Sequence, residues 1–142
     1  MAQTYSIEAA GIDSVPAVKP NSVLGVGAKL RRYRATITLA AQASGDTVVL
    51  ADIPAGEDFA YGLLTATVSL GTATVAIGTA ASAGLYRAAA VNTAVDAPAL
   101  FGTTAQIAAA PVAPTQRVIL TVGTAALPAS GTLVIDMFFT RP

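Results

Sequence analysis

The chain has 142 residues, with eight basic and eight acidic side chains and neither cysteine nor histidine. That inventory excludes disulfides, thiol catalysis, Cys or His metal ligation and histidine-activated nucleophiles. Zero net charge with 11% charged residues leaves no bulk field to recruit nucleic acid or a membrane surface.

One domain is the default at this length, and such a domain buries roughly 70% of its unfolded-state surface. No apolar run approaches the ~20 residues that span a bilayer. The opening MAQTYSIEAAG has neither the basic nor the long apolar region of a secretory signal. Residues 1–29 are punctuated by Gly11, Pro16, Pro20, Gly25 and Gly27, a density that opposes helix and long central strands. They read as an extended N-terminal arm in front of a domain over 30–142. The arm is either an irregular leader packed on its own domain or a segment that orders on a neighbouring subunit.

Lys29–Leu39 predicts the first strand, with Tyr33, Ala35, Ile37 and Leu39 on one face and Arg32, Arg34, Thr36 and Thr38 on the other. A basic cluster, Lys29, Arg31, Arg32 and Arg34 with Lys19 nearby, is followed by acidic Asp46, Asp52, Glu57 and Asp58. Three readings stand side by side. The charges are solvated strand-edge groups that block edge pairing, or they make salt bridges to another subunit or a capsid surface, or they bind phosphate. Single-strand nucleic-acid binding adds stacking aromatics to its cations, and here Tyr33 alone interleaves.

Thr47–Ile53 predicts the next strand, broken by IPAG (53–56) because Pro54 lacks an N–H and Gly56 permits a turn. Tyr61–Leu70 alternates again, placing Leu64, Ala66, Val68 and Leu70 on one face. TATVSL (65–70) then recurs as TATVAI (72–77). An odd offset of seven residues swaps the apolar face, so Gly71 marks a tight turn or a bulge.

GTAASAG (78–84) reads as a turn, Leu85–Val91 as a short strand and Asn92–Pro98 as a loop. Ala99–Ile107 is expected to be a strand broken by Gly102, and AAAPVAP (108–114) a connector. Gln116–Val122 sets Val118, Leu120 and Val122 on one side. After the LPASG turn (127–131), Thr132–Thr140 sets Leu133, Ile135, Met137 and Phe139 on one side and Val134, Asp136 and Phe138 on the other. Phe138 on the polar side is sheet filler or an interface anchor.

About eight short strands at this spacing predict an all-β fold, an antiparallel β-sandwich, jelly-roll-like in its long connection between early and late strands. VVLADIPAG (48–56) and VGTAALPASG (122–131) end strands in similar turns and suggest two facing halves of that sandwich. The chemical inventory is thin. Glu57 and Asp58 are adjacent and point to opposite faces of a strand, so they make a poor acid/base pair. No EF-hand, P-loop or dinucleotide fingerprint is present. The reading is a protein without catalytic residues, metal or cofactor.

The pieces SLGTATVAIG (69–78), LYRAAA (85–90) and ALPASGTL (126–133), within a run covering roughly 30–140, resemble the small Ala/Thr/Gly-rich β proteins of tailed-bacteriophage heads, the decoration or cement class. The resemblance implies a jelly-roll-like homo-oligomer, often a trimer, made in the host cytoplasm. Its partner is the major capsid protein, bound on the outer surface of the virion shell, which it stabilises without catalysis or cofactor. Lys19, Lys29, Arg31, Arg32, Arg34, Glu57 and Asp58 are then the candidate capsid or subunit contacts. Two rivals belong to other classes. One is a tail or fibre sandwich that binds a receptor or glycan, for which Tyr61, Tyr86 and Phe101 would form the patch. The other is a tail-tube or connector subunit.

Overall fold

A computed structural model describes residues 15–16 and 27–141. Eight strands and one helical turn follow in order: β1 (Lys29–Thr38), β2 (Thr47–Ile53), β3 (Asp58–Ala66), β4 (Thr74–Gly78), β5 (Arg87–Val91), β6 (Ala99–Phe101), α1 (Thr104–Ile107), β7 (Gln116–Gly123) and β8 (Thr132–Arg141). They make two four-stranded antiparallel sheets, β1-β8-β3-β6 and β2-β7-β4-β5. The first is called sheet A below and the second sheet B.

The pairing is nested. β1 lies on β8, β2 on β7, β3 on β6 and β4 on β5. The chain is therefore one long hairpin, with its tip between β4 and β5, rolled so that alternate rungs fall in opposite sheets. That is the jelly-roll solution to burying two apolar faces against each other.

Period-two alternation supplies those faces. Leu133, Ile135, Met137 and Phe139 of β8, with Leu64 and Ala66 of β3 beside them, share one buried cluster with Val118, Leu120 and Val122 of β7 and Val75 and Ile77 of β4. Each fully buried Leu, Ile or Phe side chain contributes roughly 1.5–3 kcal/mol. At one end the core becomes aromatic. Phe139 packs edge-on to Tyr33 at 5.6 Å and to Phe59 at 5.3 Å, and Phe59 lies 4.7 Å from Tyr86.

The turns explain the sequence repeats. β2 leads to β3 through IPAG, with Gly56 at φ 93°, and β7 leads to β8 through LPASG, with Gly131 at φ 113°. Both turns carry the chain from sheet B to sheet A, at opposite ends because β2 and β7 are antiparallel. The TATV copies also straddle a crossing, which passes through Gly71 at φ 63° from β3 in sheet A to β4 in sheet B.

Two expectations need correction. The strand predicted through Leu70 stops at Ala66, because the chain must leave sheet A there, although Leu70 still buries its side chain at 2% exposure. The strand predicted over Ala99–Ile107 keeps only three residues. After Gly102 the chain makes a helical turn, with the Thr103 hydroxyl accepting from the Gln106 N–H at 3.3 Å. An N-cap of that kind satisfies a backbone donor that a strand would have paired across the sheet.

Candidate functional site

β1 is an edge strand of sheet A, paired to β8 without a register shift from Lys29↔Arg141 to Thr38↔Thr132. Even-numbered residues of β1 and β8 point outward, odd ones inward. Arg34 therefore faces Asp136 directly across the ladder, and its Nε and Nη2 donate to the two carboxylate oxygens at 2.7 Å each. These bonds hold the Asp136 carboxyl below the usual range, against the opposing effect of its partial burial. An arginine fork on a carboxylate is a fixed geometry, unlike most surface ion pairs.

Arg31 has the inward parity, opposite Phe139, and its half-exposed side chain reaches Glu57. Glu57 is fully buried, with its Oε1 3.5 Å from Arg31 Nη1 and 3.8 Å from Arg141 Nη1, while both of its oxygens lack a hydrogen-bond partner among the described residues. Two guanidinium groups therefore compensate one buried carboxylate from a distance, an arrangement that fixes position more than it stabilises. The Tyr33 phenol beside them is raised, first by burial and then by the charge of Glu57. Asp58 points the other way, to the outer face, where burial pushes its carboxyl up.

The structure thus gathers six of the seven predicted residues, Lys29, Arg31, Arg32, Arg34, Glu57 and Asp58, at one end of sheet A. Lys19 lies outside the described residues. The opposite-sign clusters meet within one chain, through Arg31 and Glu57. Asp46 and Asp52 do not join them. Asp46 accepts from the Ala43 N–H in the turn before β2, and Asp52 receives Nε and Nη2 of Arg117 across the β2–β7 ladder at 2.8 and 2.9 Å. Neither the Arg34–Asp136 nor the Arg117–Asp52 pair follows from sequence, since each joins residues far apart in the chain. The outward register of Arg34 and Asp136 was the available signal.

Between the charges, the outer face of sheet A carries large side chains. Tyr61 and Phe138 are cross-strand neighbours with stacked rings, 4.6 Å between centroids and 19° between planes. Leu63, Val134 and Leu100 continue the same face, and Leu30 stands at its lower corner. Phe138 is therefore neither core nor isolated. The patch expected from Tyr61, Tyr86 and Phe101 does not form, because Tyr86 and Phe101 are buried at 1% and 7% exposure. Tyr86 has the inward register of the β4–β5 connection, donates to Gln116 Oε1 and is pushed up to about 12 by burial.

Sheet B presents a different exterior. Val49 and Ile119 lie across from each other there beside the Asp52–Arg117 pair, and the chain after β4 folds back over Gly78, where an added Cβ would lie 2.1 Å from the Ser82 carbonyl oxygen.

No protein-family model matches the sequence, and no curated protein matches it. Solved structures do. A chain of the cyanophage Pam1 capsid asymmetric unit superposes with a TM-score of 0.69 at 17% identity, over 92% of this chain and 97% of that one. A chain from the capsid of Ralstonia phage GP4 gives 0.65 at 16% identity, over 91% and 93%. The acidic stable capsid structure of the Helicobacter pylori bacteriophage KHP30 gives 0.59 at 13%, over 80% and 88%. At these identities the likeness is one of fold, shared along nearly the whole of both chains.

Proposed function

We propose that this protein is a structural component of a tailed-phage virion, a decoration protein that binds the outside of the head and reinforces the shell. The observation that carries the reading is the nearly end-to-end match to chains of phage capsid structures, 97% of one and 93% of another. A match to a shared module inside a larger protein would leave much of that other chain uncovered. Chemistry agrees with the reading. The charged side chains of sheet A are arranged for contact, as ion pairs and an aromatic stack on a flat face, and many modest contacts on repeated subunits sum to tight attachment.

The partner in this reading is the major capsid protein, and the decorating unit is a homo-oligomer, with a trimer favoured. The N-terminal arm supplies part of the shell contact together with the basic residues at the start of β1. A glycan-binding fibre module is less favoured, because two of the three aromatics it would use lie in the core.

Co-sedimentation with undecorated, expanded capsids of the source phage tests the proposal. The expected result is saturable binding at a fixed ratio to the shell subunit. Deleting residues 2–28 is expected to abolish attachment while leaving a folded sandwich. Folded, full-length protein that stays in the supernatant would reject the decoration role, and attachment unchanged by the deletion would reject the role of the arm.

A further inference from the structure

The β1–β8 ladder runs past the core at the end that Tyr33 and Phe139 close. Its terminal rung is Lys29↔Arg141 and the next inward one is Arg31↔Phe139. Lys29, Arg31 and Arg141 therefore share the inward parity at one corner of sheet A. Glu57 precedes β3 and, because Asp58 pairs with Thr140, falls level with Arg141. The Val112 backbone bonds to Gly56 and to Glu57 at 2.8 Å each, so the segment before β7 lies beside Glu57. Arg32 and Asp58 have the outward parity and stand on the other face.

Charge is unbalanced at this corner. Three cations, Lys29, Arg31 and Arg141, gather around the single carboxylate of Glu57, in a chain whose net charge is zero. Glu57 is buried and accepts no hydrogen bond among the described residues. It draws the two guanidinium groups together by charge, therefore, without taking up their N–H donors. Their side chains stay 51% and 43% exposed, and Lys29 beside them is exposed with no ion pair among the described residues. Arginines already gathered by a buried acid have lost part of their side-chain freedom before a ligand arrives, which lowers the entropic cost of binding. A guanidinium with free N–H groups grips a carboxylate through two parallel hydrogen bonds.

From this arrangement we infer that the corner is an anchorage for an acidic segment of a partner protein, whose carboxylates bridge Arg31 and Arg141 and pair with Lys29. A nucleic-acid strand would ask for cations strung along a groove and for rings on which bases stack. Here the cations meet at one point, and the nearby rings, Tyr33 and Phe139, are packed edge-on to each other. Glu57 cancels one of the three cations, and one or two carboxylates neutralise what is left. The zero net charge of the chain gives no long-range pull on a polyanion. A bridging ligand has a second effect, because it ties Lys29 of β1 to Arg141 of β8 and so pins the end of the ladder. The inference rests on the decoration reading for the source of the carboxylates, which there is the shell. It is tested in solution without capsids, so its failure leaves shell binding itself untouched.

The experiment is an NMR titration of the isotope-labelled full chain with octaglutamate, followed at the backbone amides and the arginine Nε–H groups, at about 20 mM and about 200 mM salt. The expected result is saturable shifts confined to Lys29, Arg31, Arg141 and their neighbours, with a Kd below about 1 mM at low salt and weaker binding at high salt. Hydrogen exchange at the Lys29 and Arg31 amides is expected to slow on binding. Lys29 is exposed at the first position of β1, so Lys29→Glu keeps the sandwich, which circular dichroism verifies, and it should bind about tenfold more weakly. Arg141→Gln should lose the slowed exchange; should that variant not fold, Lys29→Glu decides. Absence of shifts up to about 5 mM peptide overturns the inference, as do equal shifts at Arg87 and Arg117 or a Lys29→Glu variant that binds as the wild type does. Inorganic phosphate and an octathymidylate strand are the comparison ligands, and either one binding at least as tightly as octaglutamate overturns the assignment to an acidic protein segment.

Discussion

Asp58 and Asp136 lie on neighbouring strands of the same face, and acid acts on them with opposite signs. Asp136 is held low by Arg34, so its contribution to stability is complete above the ordinary carboxylate pKa of ~3.9 and is lost as pH falls through its lower folded value. Asp52, held low by Arg117, follows the same course. Asp58 is raised by burial, so its ionised form opposes folding once pH rises past ~3.9 and through its higher folded value. Asp136→Asn should therefore lower the urea midpoint at pH 7 and flatten the decline of stability between about pH 5 and pH 2. Asp58→Asn should raise the midpoint at pH 7, a gain that disappears below about pH 4. Equal midpoints for wild type and Asp58→Asn at neutral pH would show that a partner group compensates the carboxylate. Neither sign was legible from sequence, where both residues are simply acids near basic strands. Glu57 and Asp58 diverge as adjacent strand residues must, but which one would be buried depends on where β3 begins.

At the scale of the elements, the faces of β1, β3, β7 and β8 were written in the sequence as alternation, because an inward position on a half-buried strand must be apolar whatever it packs against. Strand ends are a different matter. TATV continues to read as strand after Ala66, yet a sandwich has to hand the chain to its other sheet, and that requirement belongs to the whole fold. The helical turn after β6 is hidden for the same reason, since its only local signal is the capping hydroxyl of Thr103. Two glycines separate local from tertiary demands. Gly71 has φ 63° and nothing within 4 Å of an added Cβ, so Gly71→Ala is expected to cost about 1–2 kcal/mol through the left-handed backbone alone. Gly62 would place a Cβ 2.1 Å from the Phe101 ring, so Gly62→Ala must displace a core aromatic and loosen β6, at about 1–3 kcal/mol. Hydrogen exchange separates the two cases. The first variant should leave β6 protection unchanged relative to the rest of sheet A, and the second should lose it selectively.

The whole molecule is built from contacts between distant parts of the chain. The Arg34–Asp136 pair joins residues 102 apart, and the β1–β8 ladder pairs the first strand with the last. Non-local pairing of this kind sets slow folding, because the entropy of loop closure is lost before contacts form. Refolding from urea is expected on a millisecond-to-second scale, and stopped-flow fluorescence of the four tyrosines measures it. Microsecond refolding would mean that the nested hairpin assembles from local pieces.

The same ladder governs how the sandwich bears force. Lys29 and Arg141 are paired at one corner, so tension applied at these two points opens β1 from β8 like a zipper, loading one rung at a time. Pressing or shearing across the sheets instead engages whole rows of rungs and the core together. The domain is consequently weak when pulled by its two ends and strong when loaded through its broad faces. In any assembly that strains it, the durable joints will be those made by the flat of the sheet.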